Sequence, residues 1–308
     1  MTAAAPSGSR LRGTPARRRN EGAVKGVLVA VSGLSVLVSA GIVLSLIFEA
    51  IQFLGSIELP QLFADGWFPR RGMFSIPTVV GGSIMVTLIA MAVAAPIGLA
   101  SAIYLAEYAR PRTRKIVKPM LEILAGIPSV VLGFFALTII NPVVVRGLFP
   151  DAKASTLLAA GLGVGILIIP LVASVSEDAM RAVPQSLREA SYGLGARRIT
   201  TSLRVVLPAA VSGVVAALIL AASRAVGETM IVALAAGATA GSLFTLDPLG
   251  PGQTLTGAMA SLAAGSDNVT GDSSAFLSLF FLGFLLFVIT LGLNLLGDVF
   301  VRRTRQRY

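Results

Sequence analysis

The chain has 308 residues, of which 55% are hydrophobic and 13% are charged. Soluble domains carry about 25% charged residues, so this chain has too little charge to cover a surface that faces water, and its composition predicts a membrane protein. It contains no cysteine and no histidine, which excludes disulfides, thiol catalysis, Cys or His metal sites and any His-dependent triad. The net charge is +10. The basic residues lie between the apolar runs, not in one continuous patch, and no aromatic residues are interleaved with them, which argues against a nucleic-acid partner.

Six apolar stretches are long enough to cross a bilayer, because a transmembrane helix needs about 20 residues. The first exceeds the roughly 7–15 apolar residues of a signal peptide and is interpreted as an uncleaved helix. Residues 24–300 are therefore predicted to form an all-α transmembrane domain between two basic tails, a disordered one at 1–23 and a short one at 301–308. The six predicted spans are 24–48, 77–105, 119–140, 156–175, 209–237 and 276–299.

The lysine and arginine residues are distributed unequally between the two sides of the membrane. Twenty of the 25 lie in or beside the two tails and in the connections at 106–118 and 176–208, whereas four lie in the opposite connections and Arg224 lies inside a span. Cytoplasmic loops carry the excess of positive charge. Both termini are therefore predicted to be cytoplasmic, as an even number of spans requires.

A few polar or helix-breaking residues within the spans have structural interpretations. Pro128 is predicted to kink the third span, and Glu122 is predicted to be a carboxylate at the membrane interface. Asn294 and Thr229 are predicted to hydrogen-bond to a neighbouring helix, which is the usual role of such side chains inside a membrane.

The connection at 176–208, between the fourth and fifth spans, is longer and more ordered in its pattern than a plain connector. Leu187, Ala190 and Leu194 have the spacing of one apolar helical face, and the glycines around Leu194 are predicted to end this helix. A short amphipathic helix below a membrane bundle suits a groove on a soluble partner. It equally suits the lipid interface, and the pattern alone leaves both interpretations open.

The same connection resembles the EAA motif of ABC importer permeases, in which Glu-Ala-Ala, Gly and Leu-Pro recur at fixed distances. Every spacing fits, and the departures from the motif are Ser for the second Ala and Val for Ile. The resemblance implies that this loop is the coupling helix that binds a separate ATP-binding subunit. The residues that carry it are Glu189, Ala190, Ser191, Gly195, Val205, Leu207 and Pro208.

The chain has no nucleotide site of its own. None of its four lysines follows a glycine, so it lacks the Gly-Lys-Ser/Thr end with which a P-loop holds phosphates. We therefore expect no cofactor in this chain and no catalysis by it. ATP and Mg are expected to be bound by the partner ATPase, as the resemblance implies.

Arg224 and Glu228 form a charged pair inside the predicted fifth span. A charge at the centre of a membrane helix costs at least about 2.5–3.5 kcal/mol, and such residues persist where they face a bundle interior or a solute path. A guanidinium suits an anionic solute with several oxygens. The alternative is an internal salt bridge, which a spacing of four residues permits.

The connection at 238–274 lies on the side opposite the termini. It is rich in Gly, Ser and Thr and contains no lysine or arginine. It is long for a connection between two helices. It is predicted to be either a lid or docking surface or a flexible loop.

The segment from Arg224 to Thr229 resembles the Arg-Ala-x-Gly-Glu-Thr signature in the permeases of the bacterial high-affinity phosphate importer. The resemblance extends to the segments 102–109 and 118–133 and covers most of the chain. Trp67-Phe68-Pro69 and the segment 253–256 favour the first of the two permease subunits of that importer over the second.

This resemblance implies a type I ABC importer permease fold with six transmembrane helices in the bacterial cytoplasmic membrane. Phosphate is expected to pass Arg224 and Glu228. The implied partners are a second permease subunit, a dimer of ATP-binding subunits, an extracytoplasmic phosphate-binding protein and membrane lipid. Two alternatives stay open: a permease for another oxyanion such as molybdate or sulfate, and an ion-coupled secondary transporter.

Overall fold

The computed structural model describes residues 15–237, 241–264 and 274–304, and much of both predicted tails lies outside these ranges. The first helix, α1 (Pro15–Ser56), begins inside the tail that was predicted to be disordered. That prediction is wrong from residue 15 onward. Pro15 stands at the first helical position, which proline favours, and good helix formers follow it. Up to Phe48 the chain forms a unit of its own, in which most described side chains are exposed.

The second unit, Glu49–Tyr308, contains the other helices. Among the described residues, five helices of the chain are long and apolar enough to cross a membrane, and a sixth span forms if one bent pair counts as a single span. The helices after α1 are α2 (Ile76–Ile103), α3 (Pro111–Ala125), α4 (Ser129–Leu148), α5 (Leu157–Arg181), α6 (Gln185–Gly193), α7 (Arg198–Ala209), α8 (Val211–Val226), α9 (Met230–Ala235), α10 (Leu255–Ala263) and α11 (Ser274–Thr304). Shorter 3-10 segments lie at Leu59–Phe63 and Pro69–Arg71, and π-helical stretches lie at Tyr104–Tyr108, Ala136–Val145 and Ser202–Val206.

The third span does not begin where the sequence predicted it, at 119. Residues 111–125 form the separate helix α3, which has no buried residue, and the spanning helix α4 starts at Ser129. Pro128 is the residue before α4 rather than a kink within it. Proline disfavours helical geometry in the residue before it, so the chain breaks between Ala125 and Ser129.

The fifth span is also different from the continuous helix predicted at 209–237. α7 and α8 meet at an angle of 72°, and Pro208 lies inside α7, just after its π-helical turn, rather than at the start of the span. Proline has no amide hydrogen to donate to the preceding turn, which explains the irregular helix and the bend. α8 then ends at Val226, and α9 begins after a break at 227–229.

The predicted outer side carries a two-stranded hairpin that the all-α prediction missed. β1 (Trp67–Phe68) pairs antiparallel with β2 (Met73–Phe74). Trp67 and Phe74 are buried, each with 1% exposure, and pack edge to face beside Phe53. The Trp-Phe-Pro segment noted in the sequence therefore serves the core on this side of the membrane.

The centre of the second unit is the pair α2 and α5, which approach closely through small residues. A side chain at Gly98 would meet Val172 at 2.7 Å, and one at Gly161 would meet Ile89 at 2.6 Å. Small residues at such contacts let membrane helices pack backbone to backbone. These helices provide the frame on which the loops at both ends are mounted.

Candidate functional site

The connection between the fourth and fifth spans folds as a helix, a turn and a second helix. α6 is followed by Leu194, which is 90% exposed, and by Gly195, whose φ of +78° favours glycine. Nothing lies within 4 Å of the position that a Cβ of Gly195 would take, so backbone conformation alone requires glycine here. The Ser191 and Thr201 hydroxyls lie 2.8 Å apart and join α6 to α7.

The predicted apolar stripe on α6 is divided between two environments. Leu187 packs against a buried cluster around Met180 and Val206, but Ala190 and Leu194 are exposed. Glu189 is exposed as well. The helix therefore offers a free surface that contains Glu189, Ala190 and the Gly195 turn.

Leu207 and Pro208, the other two residues of the predicted motif, lie on α7. Leu207 is partly buried and packs against the same cluster as Leu187, and Pro208 is exposed. The two ends of the motif thus have different positions. One is the free surface of α6, and the other is the helix that leads into the bent fifth span.

A buried ion pair that the sequence did not predict anchors α6. The Arg188 guanidinium donates to Oε1 of Glu107 from Nε at 3.2 Å and from Nη2 at 2.9 Å. Arg188 is 9% exposed and Glu107 is 6% exposed. The two residues are 81 positions apart, so no local pattern relates them. The only signal was a single acidic residue at the end of an apolar span.

A second charged cluster surrounds Glu177, which is fully buried at the end of α5. Its carboxylate lies 2.7 Å from Arg114 and 2.8 Å from Lys118 of α3. Partial burial lowers the pKa of the Lys118 ammonium, but hydrogen bonds and charge from Asp178 and Glu177 raise it more, so its pKa lies above the ordinary value. The cluster fixes α3 against α5.

Both charged clusters border one cavity on the predicted cytoplasmic side. Its volume is about 740 Å³, and it lies between α3, the end of α2 and α6. Glu122, predicted as an interfacial carboxylate, is exposed on α3 and lines this cavity.

Arg224 and Glu228 are at the end of α8 and in the break that follows it. Arg224 is exposed, and no carboxylate among the described residues lies within ion-pair distance of it. Oε1 of Glu228 instead accepts hydrogen bonds from the backbone amides of Met230 and Ile231, at 3.1 and 3.3 Å. The alternative of an internal Arg224–Glu228 salt bridge is therefore wrong, because Glu228 caps α9.

The segment 253–256 supports this break from the outer loop. Thr256 donates a 2.7 Å hydrogen bond to the Glu228 carbonyl. The Thr254 hydroxyl accepts from the Gly257 amide and caps α10, and the Leu255 amide donates to the Ser83 hydroxyl. The connection at 238–274 was predicted to be either a lid or docking surface or a flexible loop. The prediction of a flexible loop is wrong for residues 253–256, which make these hydrogen bonds. The residues at 238–240 and 265–273 lie outside the described part of the chain.

The polar residues that were expected to join helices behave differently from each other. The Ser223 hydroxyl donates to Oδ1 of Asn294 at 3.2 Å and so joins α8 to α11. Thr229 donates to the Gly227 carbonyl of its own segment at 3.3 Å. The prediction is confirmed for Asn294 and wrong for Thr229.

A set of membrane helices with an exposed helix between two of its spans, and with an arginine at a break in one span, has the features of a membrane transport component. The chain belongs to the family of binding-protein-dependent transport system inner membrane components, whose sequence model matches residues 94–306. This match covers more than half of the chain.

Curated relatives agree with this assignment. The probable ABC transporter permease protein YqgH of Bacillus subtilis (strain 168) is 36% identical over 68% of this chain and 69% of its own. The phosphate transport system permease protein PstC of Xylella fastidiosa (strain 9a5c) is 30% identical over 89% of this chain and 87% of its own. The phosphate transport system permease protein PstA 1 of Mycobacterium tuberculosis (strain CDC 1551 / Oshkosh) is 32% identical over 58% of this chain and 54% of its own.

The fold matches solved transporters. A bacterial ABC transporter involved in the import of the acidic polysaccharide alginate contains a chain that superposes with a TM-score of 0.59 over 94% of this chain and 100% of that one. The sequence identity is 15%, so this likeness defines the fold alone. The predicted type I ABC importer permease fold is confirmed.

Proposed function

We propose that this chain is the PstC-type permease subunit of an ATP-driven importer that carries inorganic phosphate across the bacterial cytoplasmic membrane. The observation that carries the proposal is Arg224, an exposed guanidinium at a helix break whose carboxylate neighbour, Glu228, is engaged in capping α9. A guanidinium binds planar or tetrahedral oxygens with several parallel hydrogen bonds. The relatives named for phosphate transport support phosphate as the solute.

The energy for transport comes from a separate subunit in this proposal. The free surface with Glu189, Ala190 and Gly195 binds an ATP-binding subunit, which also holds ATP and Mg. Leu207 and Pro208 on α7 connect this surface to the bent fifth span, so a displacement of α6 reaches the helix that carries Arg224. Both termini are cytoplasmic, on the same side as the ATPase.

The complete importer has further partners. A PstA-like subunit completes a permease heterodimer, two ATP-binding subunits lie below it, and an extracytoplasmic binding protein delivers phosphate to the opposite side. ATP-driven closure of the ATPase dimer moves the coupling helix and alternates access to the path past Arg224. This chain makes and breaks no covalent bond.

Uptake by the reconstituted complex tests this function. The two permeases and the ATPase are inserted into liposomes, and uptake of radiolabelled phosphate is measured with the binding protein and ATP, with sulfate and molybdate as competitors. We expect ATP-dependent uptake that unlabelled phosphate inhibits and the other two oxyanions do not. Transport of sulfate or molybdate in preference to phosphate would contradict the choice of solute. Uptake that proceeds without the ATPase would favour a secondary transporter.

A further inference from the structure

Arg188 differs from its neighbours on α6 in where its side chain goes. Glu189, the next residue, is exposed, whereas the Arg188 guanidinium is buried and enters the membrane domain. Besides its two bonds to Glu107, it donates from Nη1 to the Val183 carbonyl at 2.7 Å and from Nη2 to the Met180 carbonyl at 2.8 Å. One side chain of the coupling helix thus makes four hydrogen bonds inside the molecule.

These bonds join α6 to the ends of two spans. Glu107 lies in the π-helical turn that ends the second span, and π-helical turns are frequent at functional sites. Met180 is in the last turn of α5, and Val183 follows that helix. The last carbonyls of a helix lack a partner in a following turn, and the Met180 carbonyl accepts from the Val183 amide at 3.3 Å as well as from the guanidinium. The guanidinium thus ties α6 to the ends of α2 and α5, so a movement of α6 strains both ends.

A charged pair transmits displacement differently from an apolar contact. Leu187 already supplies apolar packing between α6 and the membrane domain, and such contacts can slide. A buried ion pair cannot separate without leaving an uncompensated charge in a poorly polarisable environment. Apolar residues of similar volume would stabilise a static contact at least as well as a buried ion pair does. The stability of the contact between α6 and the spans therefore does not explain why an ion pair is present here.

The other polar contacts of α6 and of α5 do not duplicate this connection. The Ser191–Thr201 contact is neutral and joins α6 to α7. The Glu177 cluster joins α5 to α3 and includes no residue of α6. Among the described residues, the Arg188–Glu107 pair is thus the ion pair that connects the coupling helix to a spanning helix.

We infer that Arg188 and Glu107 are positioning residues that transmit the ATP-driven movement of α6 to the second and fourth spans. The inference rests on the proposed function, because it assumes that an ATP-binding subunit moves α6. The exposed surface of α6 binds the ATPase, and the buried Arg188–Glu107 pair transmits the motion to the spans. Loss of the pair separates ATP hydrolysis from transport.

The test uses the complete complex in liposomes with the binding protein, and it measures phosphate uptake and ATP hydrolysis in the same sample. The informative variant is the double substitution Glu107→Leu with Arg188→Met, which replaces the ion pair by apolar residues of similar volume. We expect this variant to assemble with the ATPase and to hydrolyse ATP within about twofold of the unmodified complex. We expect at least a tenfold loss of phosphate carried per ATP hydrolysed.

The exposed pair Arg302–Asp298, at 3.5 Å on α11, supplies a matched control. Arg302→Met removes an arginine from an ion pair without affecting α6, and its phosphate carried per ATP should be unchanged. An equal loss in this control would contradict the inference, since the effect would then follow from any lost arginine.

Three results for the double variant would overturn the inference. A normal ratio of phosphate to ATP would show that apolar packing transmits the motion equally well. Loss of the folded permease would assign the pair to folding, and loss of ATPase binding by a folded permease would assign it to docking. If the unmodified complex takes up no phosphate, the proposed function itself fails, whereas normal uptake with a normal ratio in the variant removes the inference alone.

Discussion

The Thr256 hydroxyl donates a hydrogen bond of 2.7 Å to the backbone carbonyl of Glu228, which is 28 residues earlier in the chain. The carbonyl belongs to the break between α8 and α9, where regular helical hydrogen bonding is interrupted. Thr256 is 3% exposed, so water does not replace it easily. One hydroxyl from the outer loop therefore holds the backbone beside Arg224 in place.

Replacement of Thr256 by valine should impair transport without preventing assembly. Valine keeps the shape and removes the donor, and an unsatisfied buried carbonyl costs about 1–3 kcal/mol. We expect roughly a tenfold loss of phosphate uptake, which corresponds to about 1.4 kcal/mol. Thr256→Ser restores the donor and should recover most of the uptake. Equal uptake by the valine and serine variants would show that the hydrogen bond has no part in transport.

Substitutions of Arg224 and of Glu228 should have different effects, because the surroundings of the two side chains differ. Arg224→Leu removes the guanidinium and should abolish uptake, and Arg224→Lys should recover it only in part because an ammonium lacks the planar set of donors. Glu228→Gln keeps an oxygen for the Met230 and Ile231 amides and should leave the folded protein unchanged. The measurements are uptake and the yield of assembled complex. Loss of folded protein in Arg224→Leu would return this arginine to a structural role.

The effect of a substitution at Gly195 should depend on whether the new residue can adopt a positive φ, because there is open space for a side chain at this position. At a φ of +78° an alanine costs about 1–2 kcal/mol, so Gly195→Ala should weaken binding of the ATPase several-fold in a pull-down titration. Gly195→Asn should be milder, because asparagine adopts this conformation more readily. The matched control is Gly193→Ala, which lies in the last turn of α6 with open space around it. A stronger effect at Gly193 would contradict this explanation.

Lys118 makes the free energy of unfolding of the membrane domain depend on pH only in strong base. Its pKa is raised in the folded protein, so its contribution is complete below the unfolded value of about 10.4 and is lost as the pH rises through the folded value. Lys118→Met should lower the free energy of unfolding by about 1 kcal/mol equally at pH 6 and pH 9. Thermal unfolding in detergent measures this difference. A difference that disappears between pH 6 and pH 9 would contradict the assigned ion pair.

Periodicity and hydropathy predicted the spanning helices well where each helix is continuous. The second and fourth spans differ from the predicted ranges by only a few residues at most ends. In both spans a long apolar run is followed by charged residues, so the boundary is visible in the sequence. Two of the errors in the spans lie at prolines. Pro128 and Pro208 remove backbone donors or constrain their neighbours, and a count of apolar residues cannot detect the resulting breaks.

The candidate site was predictable in its residues but not in its contacts. The signatures identified Arg224, Glu228 and Glu189, because motifs are local in sequence. Helix α10 was also detectable, since Thr254 is a good N-cap and Leu255, Ala258 and Leu262 have helical spacing. The pairing of Arg188 with Glu107 was not, because 81 residues separate them and only the fold brings them together.

In the proposed function, ATP hydrolysis by a partner subunit drives phosphate past Arg224. The most direct measurement is uptake of radiolabelled phosphate by liposomes that contain the assembled complex, compared between the unmodified chain and Arg224→Leu at equal ATPase activity. We expect ATP-dependent uptake that is lost in the variant. ATP-dependent phosphate uptake that continues at the same rate without the Arg224 guanidinium would contradict it.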